Sequence, residues 1–342
     1  MKKEILNAVD LFSGCGGLSE GLKQAGFNVV AGVEVNKNAA KTYRMNHTDT
    51  VLFENDIRQL DTRKILKLLD GKPLHLLAGC PPCQGFSSLR RLNRKAAVQD
   101  ERNSLIDEYY RFVEALRPVT IMLENVPSIV DYTLFKDIIY KLKKLGYNIN
   151  FKIVNVADYS VPQRRKRLVL VGSTICNIEI AEGENTVVTV RETLRKLEGN
   201  DDHDMLQKNY PHHTEHIQKM ISLIPKDGGS RKDLPNEYLL ECHKKKNVGF
   251  SDVYGRLSWD RVSSTITGGC LNPSKGRFLH PEENRCISAR EAALLQTFPI
   301  DYKFPTDIPK VDIALLIGNA LPPEFTRIQA KSIYHHIEKH AI

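Results

Sequence analysis

Short apolar runs alternate with stretches of helical spacing along the first half of the chain. Residues 5–12 read as a strand that runs into a glycine cluster, and 18–25 as the helix that follows. A second strand is expected at 28–35 and a helix near 39–45. Further strands are expected at 74–78 and 120–123, with helical spacing at 102–116 and 134–145. Strand–helix alternation of this kind predicts an α/β fold built on a doubly wound, mostly parallel sheet. One pair departs from the pattern. Residues 150–156 and 168–172 both read as strands, but the link between them is too short for a crossover helix and contains Pro162. Parallel neighbours need a dozen or more residues to cross over, so this pair is expected to be antiparallel.

After about residue 175 the texture changes. The stretch to about 284 is rich in Lys, His, Asn, Gly and Pro, and its periodicity is weak. It is read as a smaller domain of irregular structure. Helical spacing returns at 288–296 and 313–317.

Composition and charge narrow the picture a little. The 342 residues suffice for one large domain plus a smaller one. The formal net charge of +8 suits a polyanionic partner, nucleic acid first, although many soluble proteins are mildly basic. Seven cysteines, an odd number, fit a reducing compartment better than a disulfide framework. The basic N-terminus is interrupted by Glu4, Asn7 and Asp10, so it reads as neither a signal peptide nor a membrane span, and no other window is long enough to cross a bilayer.

Five motifs carry candidate chemistry. Asp10-Leu11-Phe12-Ser13-Gly14-Cys15-Gly16-Gly17 follows a strand and opens a helix. Its glycines permit a tight turn and close backbone approach to a ligand. Glu34, at the end of the next strand, has the spacing of a ribose-binding acid. Gly17 breaks the dinucleotide fingerprint, so this loop alone fits a nicotinamide enzyme, a methyltransferase or a structural turn. Gly79-Cys80-Pro81-Pro82-Cys83-Gln84-Gly85-Phe86-Ser87 follows the strand at 74–78, at the edge where ligands bind in open α/β sheets. Its Cys-x-x-Cys pair also admits redox, zinc and purely structural readings. Zinc would need a second ligand pair, and Cys242-His243 lacks a standard spacing. Leu123-Glu124-Asn125-Val126-Pro127 places a carboxylate at another strand end, where it faces the crevice or caps the next helix. In Val161-Pro162-Gln163-Arg164-Arg165-Lys166-Arg167, strand alternation would set Arg165 and Arg167 on one side. Gly318-Asn319-Ala320-Leu321-Pro322-Pro323 reads by itself as a helix stop.

Taken in order, the five resemble the DNA cytosine-5 methyltransferases of bacterial restriction-modification systems, over residues 8–172 and about 255–325. The resemblance implies a Rossmann-like S-adenosylmethionine-dependent methyltransferase sheet with one antiparallel strand and a smaller, irregular target-recognition domain. Residues 1–178 plus 286–342 would form the catalytic and cofactor-binding domain, and 179–285 the recognition domain. Cys83 is implied as the nucleophile that adds to carbon-6 of cytosine, Glu124 as the residue that serves the ring nitrogen, Arg167 as the one that holds the carbonyl oxygen, and Arg165 as a neighbour of the nucleophile. For S-adenosylmethionine the implied residues are Phe12, Gly14, Gly16, Gly17, Glu34, Val35, Asp56, Ile57, Pro82, Leu105 and Asn319. For DNA they are Gln84, Ser87, Arg90, Arg91, Arg102, Arg256 and Thr265. No metal is expected. The implied substrate is double-stranded DNA with the target base flipped out. The implied setting is a monomer in the cytoplasm, nucleoid-associated when on DNA, with a cognate restriction endonuclease as its partner at the level of the system. Lys166 departs from the family pattern, in which an acid often separates the two arginines.

Overall fold

The computed structural model describes residues 5–82, 105–184, 186–199, 204–239, 241 and 252–340. The chain divides into two compact units. One comprises Met1–Tyr159, Lys166–Glu184 and Leu321–Ile342; the other comprises Ser160–Arg165 and Asn185–Ala320.

The first unit is built on a seven-stranded sheet. Its strands are β1 (Asn7–Leu11), β2 (Asn28–Val33), β3 (Val51–Phe53), β4 (Leu76–Gly79), β5 (Thr120–Asn125), β6 (Asn148–Asn155) and β7 (Lys166–Ser173). Their order is β3-β2-β1-β4-β5-β7-β6. β7 runs antiparallel to both β5 and β6, so the expected antiparallel pair is present and β7 is the reversed strand. β1, β4 and β5 are buried along their whole length, including the polar Asn7, Asp10, Thr120, Glu124 and Asn125, so they read as mainly apolar runs without strict alternation. β6 is the exposed edge. The helices are α1 (Gly17–Gln24), α2 (Lys37–Asn46), α3 (Arg63–Leu69), α4 (Leu105–Leu116) and α5 (Thr133–Lys144). α4 and α5 bury Tyr109, Phe112, Phe135 and Ile138 in the core cluster with Leu77, Ile121, Leu123 and Leu170 of the sheet.

The glycine loop takes its shape from backbone demands. Gly14 and Gly16 have φ of 55° and 98°, where an L side chain is strained. Gly21 has a different duty. A Cβ there would lie 2.4 Å from both the Pro323 carbonyl and Thr326 Cβ. Only glycine lets the last helix of the unit lie directly on α1.

Beneath the loop sits a buried polar chain. Ser19 Oγ donates to Asp10 Oδ2 at 2.7 Å and lies 2.7 Å from Tyr43 Oη. Burial pushes the Asp10 carboxyl up to about 7 despite the Ser19 bond. A carboxyl raised in this way stabilises the fold fully below its unfolded value of 3.8, and that contribution is lost as pH rises through about 7. Asp10→Asn should therefore gain stability relative to wild type, by on the order of 2–3 kcal/mol, between about pH 5 and about pH 8. Paired thermal melts across that range check this, and a pH-independent difference overturns it.

The second unit is less irregular than its sequence implies. It contains α6 (Val190–Leu194), α7 (Glu215–Leu223), α8 (Ala289–Leu295) and α9 (Lys310–Asn319). Thr189 and Glu192 form a capping box at α6, as do Ser288 and Glu291 at α8. Met220, Ile221, Ile224, Leu234, Tyr254, Leu279 and Cys286 form an apolar core. The boundary expected at 286 falls instead at 320. α8 and α9 stay in this unit because the Gln296 side chain between them donates to the Ile317 and Ala320 carbonyls. Only α10 (Pro323–His340) returns to the first unit, where it packs on α1. Among the described residues, no helix is long and apolar enough to cross a membrane.

Candidate active site

The ends of β1, β2, β4 and β5 and the start of β7 bring the sequence motifs of the first unit to one edge of the sheet. Leu11 pairs with Val33 and Gly79, Gly79 with Leu123, and Asn125 with Leu168. The glycine loop, Glu34, the cysteine loop, Glu124 and Arg167 therefore share one crevice. This is where ligands enter open α/β sheets, at the point where the strand order reverses between β1 and β4.

Glu124 Oε1 and Arg167 Nε pair at 2.7 Å, with side chains 11% and 17% exposed. A largely desolvated carboxylate beside a guanidinium offers two adjacent hydrogen-bonding groups to a planar ligand edge. The Cys80 thiol donates to the same carboxylate. Burial, and then the Glu124 charge, push Cys80 well above the ordinary thiol value. A redox pair needs a thiol held low, so Cys80 serves as a neutral donor. Asn125 closes the frame. Its Nδ2 donates to the Pro81 carbonyl at 3.2 Å, and its Oδ1 accepts from Val126 N at 2.7 Å. It tethers the loop two residues before Cys83. This tether was not anticipated. The only signal in the sequence was that Asn125 sits inside the motif next to Glu124.

On the cofactor side, Glu34 accepts Gly14 N at 2.8 Å and Asn36 N at 2.7 Å. Burial raises its carboxyl, and these backbone donors partly oppose the shift. Glu34 thus hooks the glycine loop to the end of β2. A Cβ at Gly14 would meet nothing within 4 Å, so the loop borders open space. Phe12 is half-buried with a φ of 59°, and Gly16 and Gly17 are buried at the start of α1. Val35, 64% exposed, leaves an apolar side chain open at the crevice. These features fit a ligand with a flat apolar ring, a ribose and a polar tail. Asp56 caps the next turn and pairs with Arg58 at 2.6 Å. The Ile57 side chain belongs to the core, and so does part of Leu105. Pro82 is half-buried at the end of the described loop.

Cys83, Gln84, Ser87, Arg90, Arg91 and Arg102 lie outside the described residues. Arg165 belongs to the second unit, where its Nη1 donates to the Ile266 and Gly318 carbonyls at 2.9 and 3.0 Å. Gln163, two residues earlier, is fully buried and donates to the Leu295 carbonyl and Gln296 while accepting from Ile266 N. The motif is thus divided, with Gln163, Arg164 and Arg165 in the second unit and Lys166 and Arg167 in the first. Asn319, expected among the cofactor residues, is the exposed last residue of α9 in the second unit. Gly318 before it is no mere helix stop. A Cβ there would fall 2.0 Å from the Thr267 backbone. Thr265 is half-buried, and its Oγ1 donates to the Arg164 carbonyl.

Arg256, expected at the DNA, requires correction. It is fully buried. Its guanidinium donates to the carbonyls of Ile221, Ile224, His280 and Glu283 and to Asn284 Oδ1. Burial draws it below the ordinary arginine value. It braces the second unit from inside, because five acceptors that α7 and the turn at 280–284 leave over converge on it.

Comparison with known proteins agrees with this geometry. The chain is 35% identical to the Type II methylase M.HgiDII of Herpetosiphon aurantiacus over 96% of this chain and 95% of that one. It is 31% identical to the Type II methyltransferase M1.HphI of Haemophilus parahaemolyticus over 96% and 86%. A solved E. coli structure, assigned as a prophage-encoded DNA modification methyltransferase, superposes with a TM-score of 0.71 at 25% identity, covering 97% of this chain and 99% of that one. The Entamoeba histolytica methyltransferase EhMeth, at 18% identity and a TM-score of 0.68, shares the fold. The family model of C-5 cytosine-specific DNA methylases matches residues 6–335, and the chain belongs to that family.

Proposed function

We propose that the protein transfers a methyl group from S-adenosylmethionine to carbon-5 of a cytosine flipped out of a specific double-stranded DNA sequence, through a covalent adduct with Cys83. The observation that carries this reading is the desolvated Glu124–Arg167 pair at the sheet edge, beside the loop that leads to Cys83.

Carbon-5 of cytosine is a poor nucleophile, and thiolate addition at carbon-6 makes it electron-rich. Cys83 forms that carbon–sulfur bond. Charge then builds on the ring, where Glu124 serves the ring nitrogen and Arg167 the neighbouring carbonyl oxygen. The pair is spaced for two adjacent polar atoms of one ring. S-adenosylmethionine, when bound, supplies an electrophilic methyl on a sulfonium. Glu34, Gly14, Gly16, Val35 and Phe12 would orient it, and Asn125 holds the nucleophile loop in register. Loss of the carbon-5 proton to a base and expulsion of the Cys83 thiolate restore the ring. A monomer acting on duplex DNA and service as the protective methylase alongside a cognate restriction endonuclease complete the same reading.

The test is a duplex in which 5-fluorocytosine replaces cytosine, incubated with S-adenosylmethionine. Fluorine blocks the final elimination, so wild type should be trapped covalently and Cys83→Ser should not. No adduct across a pool of short sequence contexts sinks the enzymatic reading and leaves a catalytically silent DNA-binding relative. The cofactor side has its own check. Glu34→Ala frees the glycine loop and should raise KM for S-adenosylmethionine by roughly 10–100-fold, the worth of one or two charge-assisted hydrogen bonds. An unchanged KM would remove Glu34 from the site.

A further inference from the structure

Three side chains that this chemistry does not use meet at the opposite edge of the sheet. Cys176 lies three residues beyond the end of β7, and His336 and His340 lie four apart in the last turns of α10. That spacing sets both imidazoles on one helix face. One potential ligand atom from each residue lies within 4.8 Å of the other two, and all three residues are half-buried. Ser173, the last residue of β7, pairs with Thr120, whereas Glu124 pairs with Val169. The cluster is therefore about 13 Å of strand away from Glu124, at roughly 3.3 Å per residue.

The hydrogen bonds around the cluster orient it. His340 Nδ1 lies 2.8 Å from the His336 carbonyl. A carbonyl only accepts, so Nδ1 carries the proton and Nε2 presents its lone pair. That Nε2 is 3.6 Å from Cys176 Sγ. Ligands placed about 2.0–2.3 Å from a tetrahedral zinc lie about 3.3–3.6 Å from one another, so this pair already has the required separation. His336 is held through Nε2 by Ser173 Oγ at 2.9 Å. A backbone carbonyl that fixes an imidazole, as at His340, is an outer partner that metal-bound histidines use. The C-terminal end of an 18-residue helix also favours a cation.

We propose that Cys176, His336 and His340 form a binding site for a borderline-soft divalent cation, zinc in kind, with the fourth tetrahedral position open to water. One thiolate and two imidazoles select such a metal over magnesium or calcium, which take oxygen ligands. The ion would staple the end of α10 to the end of β7. Because α10 lies on α1 at Gly21, the staple steadies the helix that opens from the glycine loop.

The test uses the full chain, free of any affinity tag and stripped with chelator, titrated with Co2+. One equivalent should bind with tetrahedral visible absorption and a thiolate-to-cobalt charge-transfer band, and Zn2+ should displace it. At about a hundredfold excess of Zn2+ over Kd, Tm should rise by roughly 2–4 °C. Cys176→Ser should abolish the charge-transfer band, His340→Ala should abolish the binding, and Cys83→Ser should change neither. Should the variants disturb α10, wild type alone suffices: Zn2+ should slow alkylation of the Cys176 peptide several-fold, as read by mass spectrometry. Absence of a band, a band that survives Cys176→Ser, or a Cys176 that Zn2+ does not protect each reduces the cluster to a thiol–imidazole hydrogen bond and overturns the site.

Discussion

Glu124→Gln is expected to lower the single-turnover rate of methyl transfer by roughly 10²–10⁴-fold, the range for losing a positioned acid–base group. The amide keeps an oxygen to accept from Arg167 Nε, which now sits at 2.7 Å. It also leaves the Cys80 thiol an acceptor. Packing at the end of β5 should therefore survive, and Tm should change little. What is lost is the carboxyl that, in the proposed mechanism, serves the ring nitrogen while Cys83 adds. The loss should appear in the rate of adduct formation on 5-fluorocytosine DNA, with DNA affinity nearly unchanged. That split separates a role at the reacting ring from a role in holding the fold. A variant that forms the adduct within about threefold of the wild-type rate would remove Glu124 from the chemistry, since loss of an interaction made only in the transition state must appear in the rate.

Arg256→Met is expected to destabilise the second unit by about 3–5 kcal/mol, since removing a buried guanidinium strands the polar groups gathered around it. Four carbonyls and the Asn284 side-chain oxygen would lose their donor together. The Ile221, Ile224 and His280 carbonyls accept in fully buried bonds and have no water to turn to, whereas Glu283 and Asn284 are exposed residues. Thermal or denaturant melts, with limited proteolysis to localise the loosened unit, measure the effect. A DNA-binding titration against salt then decides what kind of residue Arg256 is. A phosphate contact contributes about one to the slope of log K against log salt, and its loss flattens the slope by that amount. Well below the variant's Tm, the slope should match wild type. A variant as stable as wild type but with a flatter slope would return Arg256 to the DNA surface.

Much of the first unit was legible because its elements are set by local pattern. Runs such as 74–78 and 120–123 are mainly apolar without strict alternation, as suits central strands buried on both faces. The short Pro-containing link before β7 forced the antiparallel pairing. Glycines at positive φ marked the loop that opens α1. The three-residue β3 was missed, because so short an edge strand has no periodicity to read. The second unit looks irregular in sequence for a related reason. Its helices are short and its core gathers residues from 220 to 286, so no local window shows a face.

The amino-acid sequence by itself determined the alternation of strands and helices, the antiparallel strand, and the order of motifs that places the chain among the cytosine methylases. These depend on neighbours a few residues apart, where side-chain period and backbone freedom act directly. Only the tertiary structure decided that Glu124 pairs with Arg167, that Arg256 is an interior brace, that α9 stays with the second unit while α10 crosses to the first, and that Cys176 meets His336 and His340. Each is a meeting of groups far apart in the chain. Such meetings are settled by which buried polar atoms must find partners once the layers pack, and no local spacing records that.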